Sequence, residues 1–139
     1  ESDLLTYDEN SEIVTATGDG KVAFVDAADI AAVSGCALTD DRAHNTEHLL
    51  TGPEALSYAD AATILSQQTG RTIRHRSVPA REAARRIAAH GIPAEFAQVL
   101  AAMDVAISAG AEDRVTDTVE RVTGRPAHTF TVFASEEVQ

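Results

Sequence analysis

Among 139 residues there is one cysteine, Cys36, one methionine, Met103, one lysine, Lys21, and no tryptophan. A single thiol closes no intrachain disulfide and builds no multi-thiolate metal site, which fits a reducing compartment and gives the cytoplasm as the expected location. Cys36 itself reads as a small apolar residue on a helix. Aromatic residues are 4% of the chain against 44% hydrophobic residues overall. The core must therefore be built from Ala, Val, Ile and Leu, favouring closely approaching helices over an aromatic cavity. No stretch approaches the ~20 apolar residues of a membrane span, and no basic-then-apolar leader opens the chain. Cations are scarce too: 11 Lys and Arg face 22 Asp and Glu, for a formal net charge of -11. Such a surface repels phosphate backbones and anionic lipids, so no nucleic acid and no membrane is expected as a partner. The chain opens on Glu1, leaving processing or derivation from a longer protein open.

Length suits one domain, since domains cluster near ~100–150 residues. Residues 1–139 are expected to form it, with a hairpin and strand-helix-strand part over 1–78 and a helical part over 79–139. EIVTAT at 12–17 and KVAFVD at 21–26 are β-prone runs flanking Gly18-Asp19-Gly20, which predicts a hairpin. The glycines do not read as a phosphate cradle, because that needs Gly-Lys-Ser/Thr at a helix start, and a strand follows instead. A helix over 28–38 would turn Ile30, Val33 and Ala37 inward, with Asp26 ahead of it as a cap and Asp29 in its first turn. EHLLT at 47–51 suggests a short strand broken by Gly52-Pro53. Ser57 is a suitable N-cap for a helix to about Gln68 that Gly70 ends.

Residues 72–78 alternate without a clear apolar face and form a fourth strand candidate, giving the strand-helix rhythm of α/β sheets. Pro79 precedes a helix over 80–89, Gly91 stops it, and Pro93 opens the next. Phe96, Val99, Leu100, Met103 and Ile107 recur there at helical spacing. Asp117 and Glu120 form a capping-box pattern for a short helix ending at Gly124. Phe130 and Phe133 mark a last apolar face.

The runs GDGKVAFVDAADIAAV (18–33) and LTGPEALSYADAATIL (50–65) resemble the C-terminal portion of NmrA-like atypical short-chain dehydrogenases/reductases. Bacterial members of that group are often labelled ergot-alkaloid-biosynthesis-like. The likeness continues through VTDTVERVTGRP (115–126) to HTFTVFA (128–134). In that family the Gly-rich phosphate turn lies near the N-terminus, ahead of all these segments. The resemblance thus implies a truncated Rossmann-like α/β remnant: a small sheet with a hairpin, plus a helical substrate-side subdomain, without the nucleotide-binding half. The Tyr-x-x-x-Lys pair of typical short-chain dehydrogenases is absent, since neither Tyr7 nor Tyr58 has a lysine four residues later. No cofactor is expected on the chain by itself.

In such reductases the helices around 94–108 cover the substrate cleft. The resemblance therefore implies that Phe96, Leu100 and Met103 line a pocket; Tyr58, Arg74 and Arg76 are further candidate substrate contacts. Asp104 or His75 would act there as acid or base, because a carboxyl in an apolar cleft has its pKa raised toward neutrality. The alternative is that the apolar stripe is core and Asp104 is solvated. Arg71, Arg74, Arg76, Arg81, Arg85 and Arg86 crowd positions 71–86 with Glu82 as the one acid. That cluster is either an anion site or a set of partners for the protein's own carboxylates. His44 and His48 have a zinc-ligand spacing, but Asn45 and the expected strand argue against a shared helix, and no metal is expected.

The leading expectation is a cofactor-independent enzyme, a cyclase, isomerase or lyase acting on a small hydrophobic natural-product-like metabolite. One well-placed acid or base can drive such chemistry. The alternatives are a non-catalytic binding or partner subunit, or a fragment of an NADPH-dependent oxidoreductase. The half-sheet has an edge and a face to bury, which predicts a homodimer or docking on a separate nucleotide-binding chain.

Overall fold

In a computed structural model of the chain, residues 10–137 are described, so Tyr7 lies outside the described part. The elements in order are β1 (Glu12–Thr15), β2 (Lys21–Val22), α1 (Ala27–Thr39), β3 (Leu56–Ser57), α2 (Tyr58–Thr69), β4 (Arg74–Ser77), α3 (Ala80–Ala89), α4 (Ala94–Ser108), α5 (Thr118–Thr123) and α6 (Phe130–Glu137). The architecture is α/β with small sheets, as the sequence suggests.

The expected hairpin is replaced by two separate pairings. β1 runs parallel to β4, with Ile13 opposite His75 and Thr15 opposite Ser77. β2 pairs antiparallel with β3, Lys21 opposite Ser57. The turn chemistry does operate, since the Gly20 N–H donates to the Thr17 carbonyl at 3.0 Å. What overrides the hairpin is tertiary: a Cβ on Gly20 would stand 2.2 Å from the Ile107 carbonyl oxygen. Gly20 is thus pressed against the C-terminal turn of α4, and β2 is carried away from β1 toward β3. A parallel pair needs a long crossover, and here α2 lies within it.

Helix ends follow their local chemistry. Ser57 Oγ accepts the Asp60 N–H and the Asp60 carboxylate accepts the Ser57 N–H, both at 3.1 Å, a complete capping box. Gly70 closes the same helix at φ 70°. Asp26 Oδ1 accepts the Ala28 N–H at 2.9 Å and opens α1. The box expected at Asp117 does not form: no side chain caps α5, and the Asp117 carboxylate lies 3.8 Å from Arg121 Nε instead.

Two other expectations change. The segment 47–51 is not a strand. Thr51 turns its hydroxyl toward Thr116, accepting that residue's N–H at 2.8 Å, while the Gly52 N–H donates to the Ala23 carbonyl at 3.0 Å. In α1, Val33 is buried but Ile30 is exposed, and Asp29 is the inward residue. Its carboxylate accepts the backbone N–H and the Nδ1–H of His128, each at 2.8 Å. Two hydrogen bonds offset the cost of burying that carboxylate.

Apolar packing is divided among three clusters. Ile13, Tyr58, Ala62 and Ile73 join β1, α2 and the approach to β4. Ala16, Val78, Ala83 and Ala101 let α3 and α4 approach the strands closely. Ala61, Phe130 and Ala134 dock α6 onto α2. Burying a side chain such as Ile13 contributes roughly 1.5–3 kcal/mol.

Candidate active site

α4 carries Ala97, Ala101 and Asp104 at i, i+4 and i+7, which share one helix face. Ala97 and Ala101 are buried, so Asp104 is turned inward with them, toward the carboxyl end of β1. There its Oδ2 accepts the Ala16 N–H at 3.0 Å. Burial lifts the Asp104 carboxyl above its ordinary range, opposed by the Ala16 hydrogen bond and by His75.

His75 arrives from β4, where alternation places it on the opposite side from Arg74 and Arg76. Its Nε2 lies 2.7 Å from Thr15 Oγ1. Burial lowers its pKa, partly countered by the charges of Asp19 and Asp104. Tyr58, the first residue of α2, sets its ring 5.8 Å from the His75 ring and 5.4 Å from Phe24. Its phenol is pushed up to about 12, first by burial and then by the Asp104 charge. It is therefore a proton-bearing hydroxyl at neutral pH.

The structure thus brings together Asp104, His75 and Tyr58 from three elements. Tyr58 is 6% exposed, a core residue with its ring in the Ile13 cluster. The stripe expected to line a pocket is instead open: Phe96, Leu100 and Met103 are exposed at 66, 38 and 57%. Leu100 and Met103 flank Asp104 along α4, so the open apolar face borders the acid rather than enclosing it. Arg74 and Arg76 point away from the cluster. Arg76 Nε donates to Glu12 at 2.8 Å, and Arg86 pairs with Glu82 at 3.4 Å.

Thr15 and Thr17 escaped the sequence reading. Both are buried, and their hydroxyls lie 2.6 Å apart. The available signal was two threonines two residues apart at the end of a strand, where open α/β sheets place their ligands.

A groove of about 580 Å³ lies between α3 and α4, yet none of Asp104, His75 or Tyr58 lines it. Its walls are small side chains such as Ala84, Ala88 and Ala101, with the arginine stems of Arg81 and Arg85. It holds no acid or base suited to proton transfer at neutral pH. His44 and His48 do meet, Nδ1 to Nε2 at 2.8 Å, and the His44 Nε2–H donates to Asp40 at 2.7 Å. Among the described residues no group of three or more His, Cys, Asp or Glu could hold a metal ion, and no helix is long and apolar enough to cross a membrane.

The model of the NmrA-like family matches residues 8–131. The chain belongs to the NmrA-like family. It is 47% identical over 131 residues to the oxidoreductase YesF of Bacillus subtilis (strain 168), covering 94% of this chain and 46% of that protein. It is 39% identical over 131 residues to agroclavine dehydrogenase of Claviceps fusiformis, covering 94% of this chain and 45% of that one. Among solved structures, an NADPH-dependent quinone oxidoreductase from Escherichia coli superposes with a TM-score of 0.84 at 25% identity, covering 94% and 48% of the two chains. The chain spans about half the length of the curated NmrA-like relatives it matches.

These relatives overturn the expectation of a cofactor-independent cyclase, isomerase or lyase. They are oxidoreductases and dehydrogenases, and the alternative of an oxidoreductase fragment fits them better. The redox family implies a nicotinamide dinucleotide, and the Gly18-Asp19-Gly20 turn does not fit its phosphates. The Gly18-Asp19-Gly20 turn is the one Gly-x-Gly sequence, and Gly20 is consumed by its contact with the Ile107 carbonyl. The turn leads into β2, so no helix N-terminus stands behind it to receive a pyrophosphate.

Proposed function

We propose that this chain is the acceptor-side part of an NAD(P)H-dependent oxidoreductase of the NmrA-like type. It would bind a small apolar acceptor against α4 and supply the proton that accompanies reduction. The observation that carries this reading is the half-buried Asp104, held on the Ala16 N–H beside His75 and Tyr58 in a chain whose relatives are oxidoreductases and dehydrogenases.

Transfer of a hydride from NAD(P)H, two electrons and one proton, to a carbonyl- or quinone-type acceptor leaves an oxyanion that must take up one further proton. A carboxyl with a raised pKa is suited to give it and to be reprotonated from solvent. Tyr58 offers a second hydroxyl that stays protonated at neutral pH. The exposed faces of Phe96, Leu100 and Met103 would receive the apolar body of the acceptor, and their exposure makes them free to do so.

The test is a chimera in which this chain replaces the matching portion of YesF. It is expected to consume NAD(P)H with those quinone or carbonyl acceptors for which unaltered YesF, assayed beside it, consumes NAD(P)H. A folded chimera that binds NADPH and consumes none with those acceptors would overturn the reading.

A further inference from the structure

The hydrogen bonds among Thr17, Thr15 and His75 have a direction that proton counting settles. Thr17 is 0% exposed, and the partner of its hydroxyl among the described residues is Thr15 Oγ1 at 2.6 Å. Thr15 Oγ1 also accepts the Thr17 N–H at 3.2 Å and lies 2.7 Å from His75 Nε2. A hydroxyl has one proton to donate and two lone pairs to accept with.

When the Thr17 hydroxyl donates to Thr15, both Thr15 lone pairs are filled and its one proton goes to His75 Nε2. Both hydroxyls and His75 Nε2 are then satisfied. In the reverse arrangement the His75 Nε2–H donates to Thr15, Thr15 donates to Thr17, and the Thr17 proton is left without an acceptor in a place closed to water. Buried polar groups are rarely left so.

We propose that Thr15 and Thr17 are positioning residues that lock His75 as the neutral Nδ1–H tautomer. The group that His75 presents to the acceptor side is then an N–H donor, able to polarise an oxygen without carrying charge. No described residue engages Nδ1 by a hydrogen bond, which leaves that donor open.

Protonating His75 at Nε2 would require the whole chain to reverse and would orphan the Thr17 proton. The groups facing His75 are Asp104 from α4, Asp19 from the turn after β1, and Tyr58 from α2. The two carboxylates favour the imidazolium, while burial and the threonine chain oppose it. Use of this donor in reduction rests on the proposed function, whereas the tautomer itself does not.

The test is nitrogen NMR of the chain labelled with ¹⁵N-histidine, at a pH above the ordinary histidine range. The expected spectrum shows a protonated, pyrrole-type Nδ1 and an unprotonated, pyridine-type Nε2 for His75. Thr17→Val removes the donor that fixes Thr15, so a mixture of tautomers and a higher His75 pKa are expected, whereas Thr17→Ser restores the single form. An Nε2–H tautomer in the unaltered chain overturns the proposal, as does an unchanged single Nδ1–H tautomer in folded Thr17→Val. Finding the Nδ1–H form while the chimera consumes no NAD(P)H would remove the proposed function and leave the lock standing. An Nε2–H form in an active chimera would do the opposite.

Discussion

Asp104 reaches across a sequence separation of 88 residues to accept the Ala16 N–H at 3.0 Å, tying α4 to the carboxyl end of β1. Its carboxyl is raised by burial despite that bond, so the folded chain holds the proton more tightly than the unfolded one. The stability this gives is fully present below the ordinary carboxylate pKa, about 3.9, and is lost as pH rises through the raised folded value. In Asp104→Asn, which keeps an oxygen able to accept from Ala16, that loss is expected to vanish. Urea denaturation at a series of pH values, read as the difference between the two proteins, checks it. Parallel pH dependences would remove the burial argument.

Glycines 20 and 35 should respond with opposite signs. A Cβ at Gly20 meets the Ile107 carbonyl, while Gly35 in α1 has nothing within 4 Å. Gly20→Ala is expected to destabilise by about 1–3 kcal/mol through overpacking. Gly35→Ala should stabilise by about 0.5–1 kcal/mol through helix propensity. Chemical denaturation of the two variants at one pH gives both numbers.

Asp29 and His128 form an asymmetric pair. Asp29→Ala strands the His128 backbone N–H, now without its acceptor, and is expected to cost about 1–3 kcal/mol. His128→Ala leaves the backbone N–H to Asp29 bond in place and should cost less. Equal losses in the two variants would show that the side-chain contact dominates.

Ser57→Ala removes half of the capping box ahead of Tyr58. About 1 kcal/mol of stability should go with it, measured as a lower thermal midpoint. Ser57→Asn should retain most of the stability, because asparagine caps comparably well.

Local chemistry made much of the fold legible. Ser57 and Gly70 bracket α2, Pro79 and Gly91 bracket α3, and Pro93 opens α4 because each signal acts within a few residues. The hairpin was not legible. Gly18-Asp19-Gly20 does turn the chain, but the contact that redirects β2 comes from Ile107, far away in sequence. Asp29 was legible only as an acid in a first turn, where the helix dipole favours it; its burial depends on His128. At the candidate site, Asp104 and His75 could be named from residue type and likeness to a family. The likeness did not give the chemistry, however, and the oxidoreductase and dehydrogenase relatives corrected it. The exposure of Phe96 and Met103 was hidden because helical spacing of apolar residues describes a face without saying what covers it. Thr15 and Thr17 were missed because threonine in a strand is ordinary until a histidine from β4 is placed beside it.

The most direct test of the account is the pH profile of NAD(P)H consumption by the YesF chimera, with Asp104 and with Asn in its place. With Asp104 as the proton donor, the rate should fall as pH rises through its raised pKa. Asp104→Asn should then be about 100-fold slower or more and lose that fall. Equal rates and superimposable profiles in the two proteins would contradict it.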